Sequence, residues 1–395
     1  MKILIADKLS TLAVDALKKL GCSVTVDADI TADLLPGRIE DYDILIVRST
    51  KVTAATIEAA AALSLIIRAG AGVNTIDLEA ASHRGIYVAN CPGENTRAVV
   101  ELVIGLMIAA DRRLVDAAQD LRSGIWNKKE YGKAGGLAGR TLGIIGLGSI
   151  GTAVAQTARG LKMNVIAWSR RLTPEKAHDL DIGYCESPAV VAEKADVLSV
   201  HVAAAPETKH LCNAEFFSHM KEGAIFINTS RGDVVDTAAL KLAMQQKKLR
   251  VALDVYENEP GSGKADFADV ELAGKISGTP HIGASTEQAS EAIAAAVVRI
   301  VEQYLHTGKP TNVVNIRQES YACATLEVTH YNKVGVLAAV LHEIRSAGIN
   351  VEEMDNTIFT NGAAAGATIK IDEKPSPAIV EKIRQIEHVI RVAFK

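Results

Sequence analysis

Aromatic residues are scarce, at 4% of the chain. Too few flat side chains remain to build stacking platforms for single-stranded nucleic acid. Basic residues are not in excess either: 43 Lys and Arg face 47 Asp and Glu, for a net charge of −4. A nucleic-acid binder normally carries a basic face, so nucleic acid is not an expected partner. Cysteine is sparse and odd in number: the 5 residues Cys22, Cys91, Cys185, Cys212 and Cys323 stand apart, with no CxxC pair. That excludes a disulfide framework and fits a reducing, cytosolic (cytoplasmic) compartment. The 10 histidines form no HxxxH or HExxH, so no metal is expected. No Gly-x-Ser-x-Gly elbow marks a serine hydrolase. The longest apolar stretch, Ala98–Ala110, is broken by Glu101 and falls short of the ~20 residues a bilayer span requires, so no membrane is expected. Met1–Asp7 is too short and too soon charged for a signal peptide and reads as a strand.

What is present is a large core. Hydrophobic residues make up 48% of 395, enough for two or three domains. Short apolar strands at Lys2–Ala6, Ser23–Val26, Ile44–Val47 and Leu65–Ala69 alternate with helical spacing at Ser10–Leu20 and Ala54–Ala61. A second series begins at Thr141–Gly146 and continues through Asn164–Trp168, Val197–His201, Ala224–Asn228 and Arg250–Val255. Repeated βα units imply parallel sheets covered by helices. Long Ala-rich helices at Thr96–Arg113 and Ser285–Leu305 sit where the two series meet and end. From about Tyr321 the order becomes βαββαβ, a ferredoxin-like pattern. The expected fold is therefore α/β, with two doubly wound parallel-sheet lobes (flavodoxin-like and Rossmann) and a small α+β ferredoxin-like domain. The expected boundaries are 1–94 with 285–308, then 95–284, a linker over 309–320, and 321–395.

The strongest motif is Gly146-Leu147-Gly148-Ser149-Ile150-Gly151, which follows an apolar strand and opens a helix. Its glycines permit a tight turn, close approach of a pyrophosphate to the backbone, and helix-on-strand packing. The helix start, with Ser149 and Ile150, offers free N–H groups to phosphates. A dinucleotide site of this kind expects an acidic residue after the second strand, to hold the ribose of NAD. Here Ser169-Arg170-Arg171 stands there instead. Serine removes a charge that would repel a 2′-phosphate and an arginine can pair with one, which admits NADP; the arginines can equally lie solvated or over an adenine.

Three later residues form a candidate catalytic set: Arg231 in Asn228-Thr229-Ser230-Arg231-Gly232, Glu259 in Asp254-Val255-Tyr256-Glu257-Asn258-Glu259-Pro260, and His281 in Thr279-Pro280-His281-Ile282-Gly283. All follow strand ends, where doubly wound sheets bind ligands. Oxidising a 2-hydroxy acid needs a base for the hydroxyl proton, a carboxylate to orient it and an arginine for the substrate carboxylate.

In this order the motifs resemble the D-isomer-specific 2-hydroxyacid dehydrogenases, over roughly Met1–Thr307. The resemblance implies an NAD-dependent oxidoreductase in which Arg231, Glu259 and His281 are catalytic, Ser230 lies beside the cofactor and Asp254 holds the nicotinamide carboxamide. It also implies a homodimer or homotetramer. Arg48-Ser49 with Lys51, Gly70-Ala71-Gly72, and Asn95 with Arg97 resemble the substrate loops of members acting on 3-phosphoglycerate. The Gly70–Gly72 amides would hold the carboxylate, and Arg48, Lys51 and Arg97 would face the phosphate or simply be solvated. The alternatives are a glyoxylate or hydroxypyruvate reductase using NADPH and, more remotely, an NADH-sensing corepressor. The tail resembles a regulatory ACT domain of the serine-sensing kind, in which His330, Asn332 and Asn350 would contact L-serine. Val334 stands where a proline is usual, and an ACT fold that only dimerises is the other reading.

Overall fold

The computed structural model describes residues 1–260, 264–317 and 320–395. The chain divides into two compact units, Met1–Asn315 and Ile316–Lys395.

The first unit carries two parallel sheets. One has five strands, β1 (Lys2–Ile5), β2 (Ser23–Val26), β3 (Ile44–Val47), β4 (Leu65–Arg68) and β5 (Tyr87–Asn90), in the order β2-β1-β3-β4-β5. Alternate side chains enter opposite layers, as the period of two requires. Ile3, Ile5, Ile44, Ile46, Leu65 and Ile67 pack with Ile293, Val297 and Ile300 of the Glu287–Thr307 helix. Leu4, Leu45, Val47 and Ile66 pack with Ile57 and Ala81 on the other face. Burial on both faces is why these strands read as unbroken apolar runs.

The other sheet has seven strands: β6 (Thr141–Ile145), β7 (Asn164–Trp168), β8 (Gly183–Tyr184), β9 (Val197–Val200), β10 (Ile225–Asn228), β11 (Arg250–Leu253) and β12 (Ser277–Gly278). Their order is β12-β11-β10-β9-β6-β7-β8. Leu142, Ile144, Ile225 and Ile227 meet Val99, Val103 and Met107 of the Thr96–Arg112 helix and Val154 of the Ser149–Gly160 helix. Both orders reverse once, between β1 and β3 and between β6 and β9. A crevice opens beyond the carboxyl ends of the strands at such reversals.

The second unit is a four-stranded antiparallel sheet of β13 (Ala324–Tyr331), β14 (Val351–Ile358), β15 (Ala364–Ile371) and β16 (Val389–Phe394), ordered β14-β15-β13-β16. Two helices, Val336–Ser346 and Pro377–Arg384, cover one face through Val340, Ile344 and Ile383. This is the expected βαββαβ fold.

Some details differ from the sequence pattern. β5 and the two-residue edges β8 and β12 are not among the strands expected from the sequence. Residues 309–315, where a linker is expected, lie along β5: Val313 bridges Ala89, and the Asn315 side chain accepts from the Val88 amide at 2.8 Å. Gln318, within the expected linker, lies outside the described residues. No helix among the described residues is long and apolar enough to cross a membrane.

Phe226 is fully buried and meets Phe217 edge-on at 5.2 Å. Phe226→Ala leaves a cavity under β10 and should cost the first unit about 3–5 kcal/mol. Urea unfolding checks this; an unchanged midpoint would contradict the packing described.

Candidate active site

The turn after β10 is shaped by the buried Asn228. Its amide donates to the Arg231 carbonyl at 2.9 Å, and its Oδ1 accepts from the Ser230 amide at 2.9 Å and hydroxyl at 2.7 Å. Ser230 is thus committed to the turn, and the Arg231 guanidinium donates back to the Ser230 carbonyl at 2.7 Å. Gly232 lies so close to Tyr256 that a Cβ would strike the Tyr256 carbonyl, which locks the Arg231 turn to the loop carrying Glu259. From the other lobe, Gly72 lies against the Arg231 guanidinium, where a side chain would collide.

The His281 loop is organised by Asp254, which is 1% exposed. Its Oδ1 accepts from the Thr279 hydroxyl at 2.7 Å and the Ile282 amide at 2.8 Å, and its Oδ2 from the Gly283 amide at 2.8 Å. Asp254 therefore anchors the loop that presents His281. That loop is tight: His281 adopts φ +52°, while its amide donates to the Asp254 carbonyl at 2.8 Å.

His281 Nδ1 lies 2.7 Å from Glu259 Oε2, and Glu259 Oε1 accepts from the Tyr256 amide at 2.9 Å. A carboxylate at Nδ1 fixes the proton there, leaving Nε2 as the acceptor in the neutral ring. The Glu259 hydrogen bond, working against burial, raises the His281 pKa; the Glu259 and Asp254 charges add to it and Arg231 subtracts. Burial pushes the Glu259 carboxyl up, but the His281 bond, the Tyr256 amide and the charges of His281 and Arg231 together carry it below its ordinary value. The pair therefore favours an ionised carboxylate beside a base stronger than free imidazole.

His281 and Glu259 face a cavity of about 750 Å³, also lined by Arg48, Ser49, Gly70 and Asn95. Lys51, Ala71, Gly72, Arg97 and Arg231 are not among its walls, and Lys51 and Arg97 are exposed. Arg68, which opens the Arg68–Val73 motif of the expected substrate loops but is given no role there, is also a wall residue. Its Nε is buried without a partner, and burial, followed by the charges of Arg231 and Arg48, lowers its pKa. Its signal was position: it closes β4 just as Arg48 follows β3. The Asp7 carboxylate supports the Arg48 loop, accepting from the amides of Arg48, Ser49 and Thr50 at 2.6, 3.0 and 3.1 Å.

The glycine loop follows β6. Gly146 has φ +97° and leaves no room for a Cβ against the His201 carbonyl; Gly151 leaves none against the Gly146 carbonyl. Beside Gly148 nothing lies within 4 Å, and the Ser149–Gly160 helix, which opens with Ser149 and Ile150, has no side-chain cap. An open helix start over a close-packed turn fits a dinucleotide pyrophosphate. The Thr229 hydroxyl, in the turn after β10, is buried and unpartnered. Ser169 is half-buried just past β7, and Arg170 is exposed, with no ion pair to a described residue. Among the described residues no cluster of His, Cys, Asp or Glu could hold a metal.

The model of the D-isomer specific 2-hydroxyacid dehydrogenase NAD binding domain matches residues 104–283. A glyoxylate reductase of Thermococcus litoralis is 38% identical, over 70% of this chain and 85% of its own length. The chain belongs to the D-isomer-specific 2-hydroxyacid dehydrogenase family. A D-3-phosphoglycerate dehydrogenase of Methanocaldococcus jannaschii is 38% identical over 80% of this chain. The chain spans about 60% of the length of that relative. An NAD+-bound 3-phosphoglycerate dehydrogenase structure from Entamoeba histolytica superposes with a TM-score of 0.67 at 28% identity, covering 80% of this chain and 99% of its own. Within this chain, the matched segment holds the seven-stranded lobe with the glycine loop, Arg231, Glu259 and His281.

The candidate effector residues of the second unit are not brought together. His330 is 2% exposed, with Nδ1 on the Tyr331 carbonyl at 2.8 Å and Nε2 on Asn356 at 3.3 Å. Asn332 donates to the Gly362 carbonyl, and Asn350 to Glu352, both at 3.1 Å. His330 pairs with Ala365, whereas Asn350 flanks Val351, which pairs with Ile371. Six strand residues at ~3.3 Å each put them roughly 20 Å apart.

His281→Asn removes the titratable Nε2 but keeps a polar group at the level of Nδ1, facing Glu259. Turnover should fall on the order of 10²–10⁴-fold, with dinucleotide affinity nearly unchanged. Near-parental turnover would exclude His281 as the base.

Proposed function

We propose that this chain is a D-3-phosphoglycerate dehydrogenase, oxidising 3-phosphoglycerate to 3-phosphohydroxypyruvate at the entry to L-serine synthesis. The observation that carries this reading is the gathering of Arg48 and Arg68 at the cavity wall, where the charges of Arg231 and Arg48 both act on Arg68. A substrate with a carboxylate at one end and a phosphate at the other matches such a cluster better than a small neutral-ended acid does. Arg231 holds the carboxylate, assisted by the Gly70–Gly72 amides. Arg48 and Arg68 face the phosphate, with Lys51 and Arg97 at its approach.

The hydroxyl proton passes to His281 Nε2, and Glu259 holds the ring and stabilises the imidazolium that forms. A nicotinamide dinucleotide bound at Gly146–Gly151 supplies the acceptor for the hydride from C2. Arg231 keeps C2 oriented as its C–H bond breaks and the carbonyl forms. A sensor of NADH alone has no use for the His281–Glu259 pair.

A second reading, an NADPH-dependent glyoxylate or hydroxypyruvate reductase, is favoured by Ser169 and the unpaired Arg170. Either way the chain works as a homo-oligomer: no residue of the Leu114–Arg122 helix is buried, and Leu114, Leu121, Ile125 and Trp126 form an exposed apolar surface. The second unit is an ACT-type module. His330 and Asn332 of one copy and Asn350 of another would hold L-serine between paired modules, since one copy keeps them apart. The four buried, unpaired cysteines suit a reducing cytosol.

Turnover of 3-phosphoglycerate against glyoxylate, each with NAD(H) and NADP(H), tests the substrate. Higher kcat/KM for glyoxylate would favour the reductase. Ser169→Asp should shift preference toward NAD(H), because a carboxylate holds both ribose hydroxyls and repels a 2′-phosphate; an unchanged NAD/NADP ratio would remove Ser169 from that role. L-Serine should inhibit the full chain and spare a chain truncated after Arg317. Calorimetric silence to millimolar serine would leave dimerisation as the module's task.

A further inference from the structure

Two residues before Glu259 stands a second carboxylate with a second histidine. Glu257 Oε1 lies 2.7 Å from His210 Nε2, and Glu257 Oε2 accepts from the Thr237 amide at 3.2 Å. His210 belongs to the loop after β9 and adopts φ +50°, with its amide on the Asp233 carbonyl at 2.8 Å. Thr237 is the first residue of the Thr237–Lys247 helix, so Glu257 also sits at the positive end of that helix. One side chain thus ties together the segments that follow β9, β10 and β11.

Neither His210 nor Glu257 lines the 750 Å³ cavity, so neither can touch substrate there. What they hold is the segment 255–259, which has no helix or strand of its own. Within it, the Tyr256 amide fixes Glu259 Oε1, and Glu259 Oε2 fixes His281. The close fit of Gly232 under the Tyr256 carbonyl supports that segment from one side only. Glu257 adds a further restraint, through its bonds to His210 and to the Thr237 amide.

We propose that His210 and Glu257 are a positioning pair, which holds the 255–259 segment so that Glu259 meets His281 in the productive geometry. The proposal rests on His281 being the base. Glu257 is faced by His210 from the β9 loop and by the Thr237 amide from the helix. His281 is faced by Glu259, Asp254 and Arg231. Freed from its tether, Glu259 no longer keeps one fixed distance from His281, and the support it gives to the protonated ring weakens.

The test is the pH profile of kcat/KM for oxidation in the parent, His210→Ala, His210→Gln and Glu257→Ala. Oxidation needs the neutral ring, so activity rises with pH through the His281 pKa. In the parent that limb should lie above the usual 6.5. In His210→Ala and Glu257→Ala it should move down toward 6.5, and kcat should fall about tenfold, the scale of a small misplacement at the reacting centre. KM for the dinucleotide should stay nearly constant. His210→Gln keeps an N–H donor for Glu257 and should restore most of the parental limb. Loss of amplitude with an unmoved limb would reduce the pair to a structural tie and overturn the proposal, as would a parental profile in His210→Ala. If Glu257→Ala fails to fold, the two His210 variants decide alone. If His281→Asn retains the parental limb, the assignment of the base has failed instead, which these variants distinguish.

Discussion

The hydrogen bond between His281 and Glu259 can form only if two loops, from β11 and from the β12 edge, are held to within a few tenths of an ångström of each other. Neither loop has regular structure to hold it. The protein meets the constraint with buried polar anchors. Asp254 gathers the hydroxyl and amides of the His281 loop, Asn228 folds the Arg231 turn, and Gly232 lets that turn press directly on the Tyr256 backbone. Buried groups satisfied in this way are stiff, because every alternative conformation leaves one of them unpaired. The parallel sheet beneath places all the strand ends on one side, which is why residues fifty positions apart arrive together.

The second constraint is electrostatic. Burial, followed by the charges of Arg231 and Arg48, lowers the Arg68 pKa. Such a cluster is costly without an anion and becomes favourable with one. Asp7, with three amides on one carboxylate oxygen, holds the backbone of Arg48 and lies near Arg68 without neutralising the cavity.

Much of this was legible in the sequence, for physical reasons. Strands buried on both faces are continuous apolar runs, so most of the parallel strands stand out, and the glycine spacing around Gly146 reports a turn that admits no Cβ. Arg231, Glu259 and His281 follow strand ends, where function concentrates in such folds. Other features were hidden. Arg68 and Asp7 look like ordinary strand-end charges until tertiary structure sets them beside Arg48. Asp254 and Ser230 lie in the expected motifs, but their side chains are used within the loops. In the second unit His330 and Asn350 are near neighbours in pattern and lie at opposite ends of the sheet, because β13 and β14 both run antiparallel to β15.

Proton transfer as proposed depends on Glu259 raising the basicity of His281. The most direct measurement is an NMR titration of the His281 ring in the parent and in Glu259→Gln. The parent should titrate above 6.5, since the Glu259 bond is the largest influence on the ring. Glu259→Gln should fall back toward 6.5 or below, as burial and Arg231 are left to act. Equal values in the two proteins would contradict the central claim.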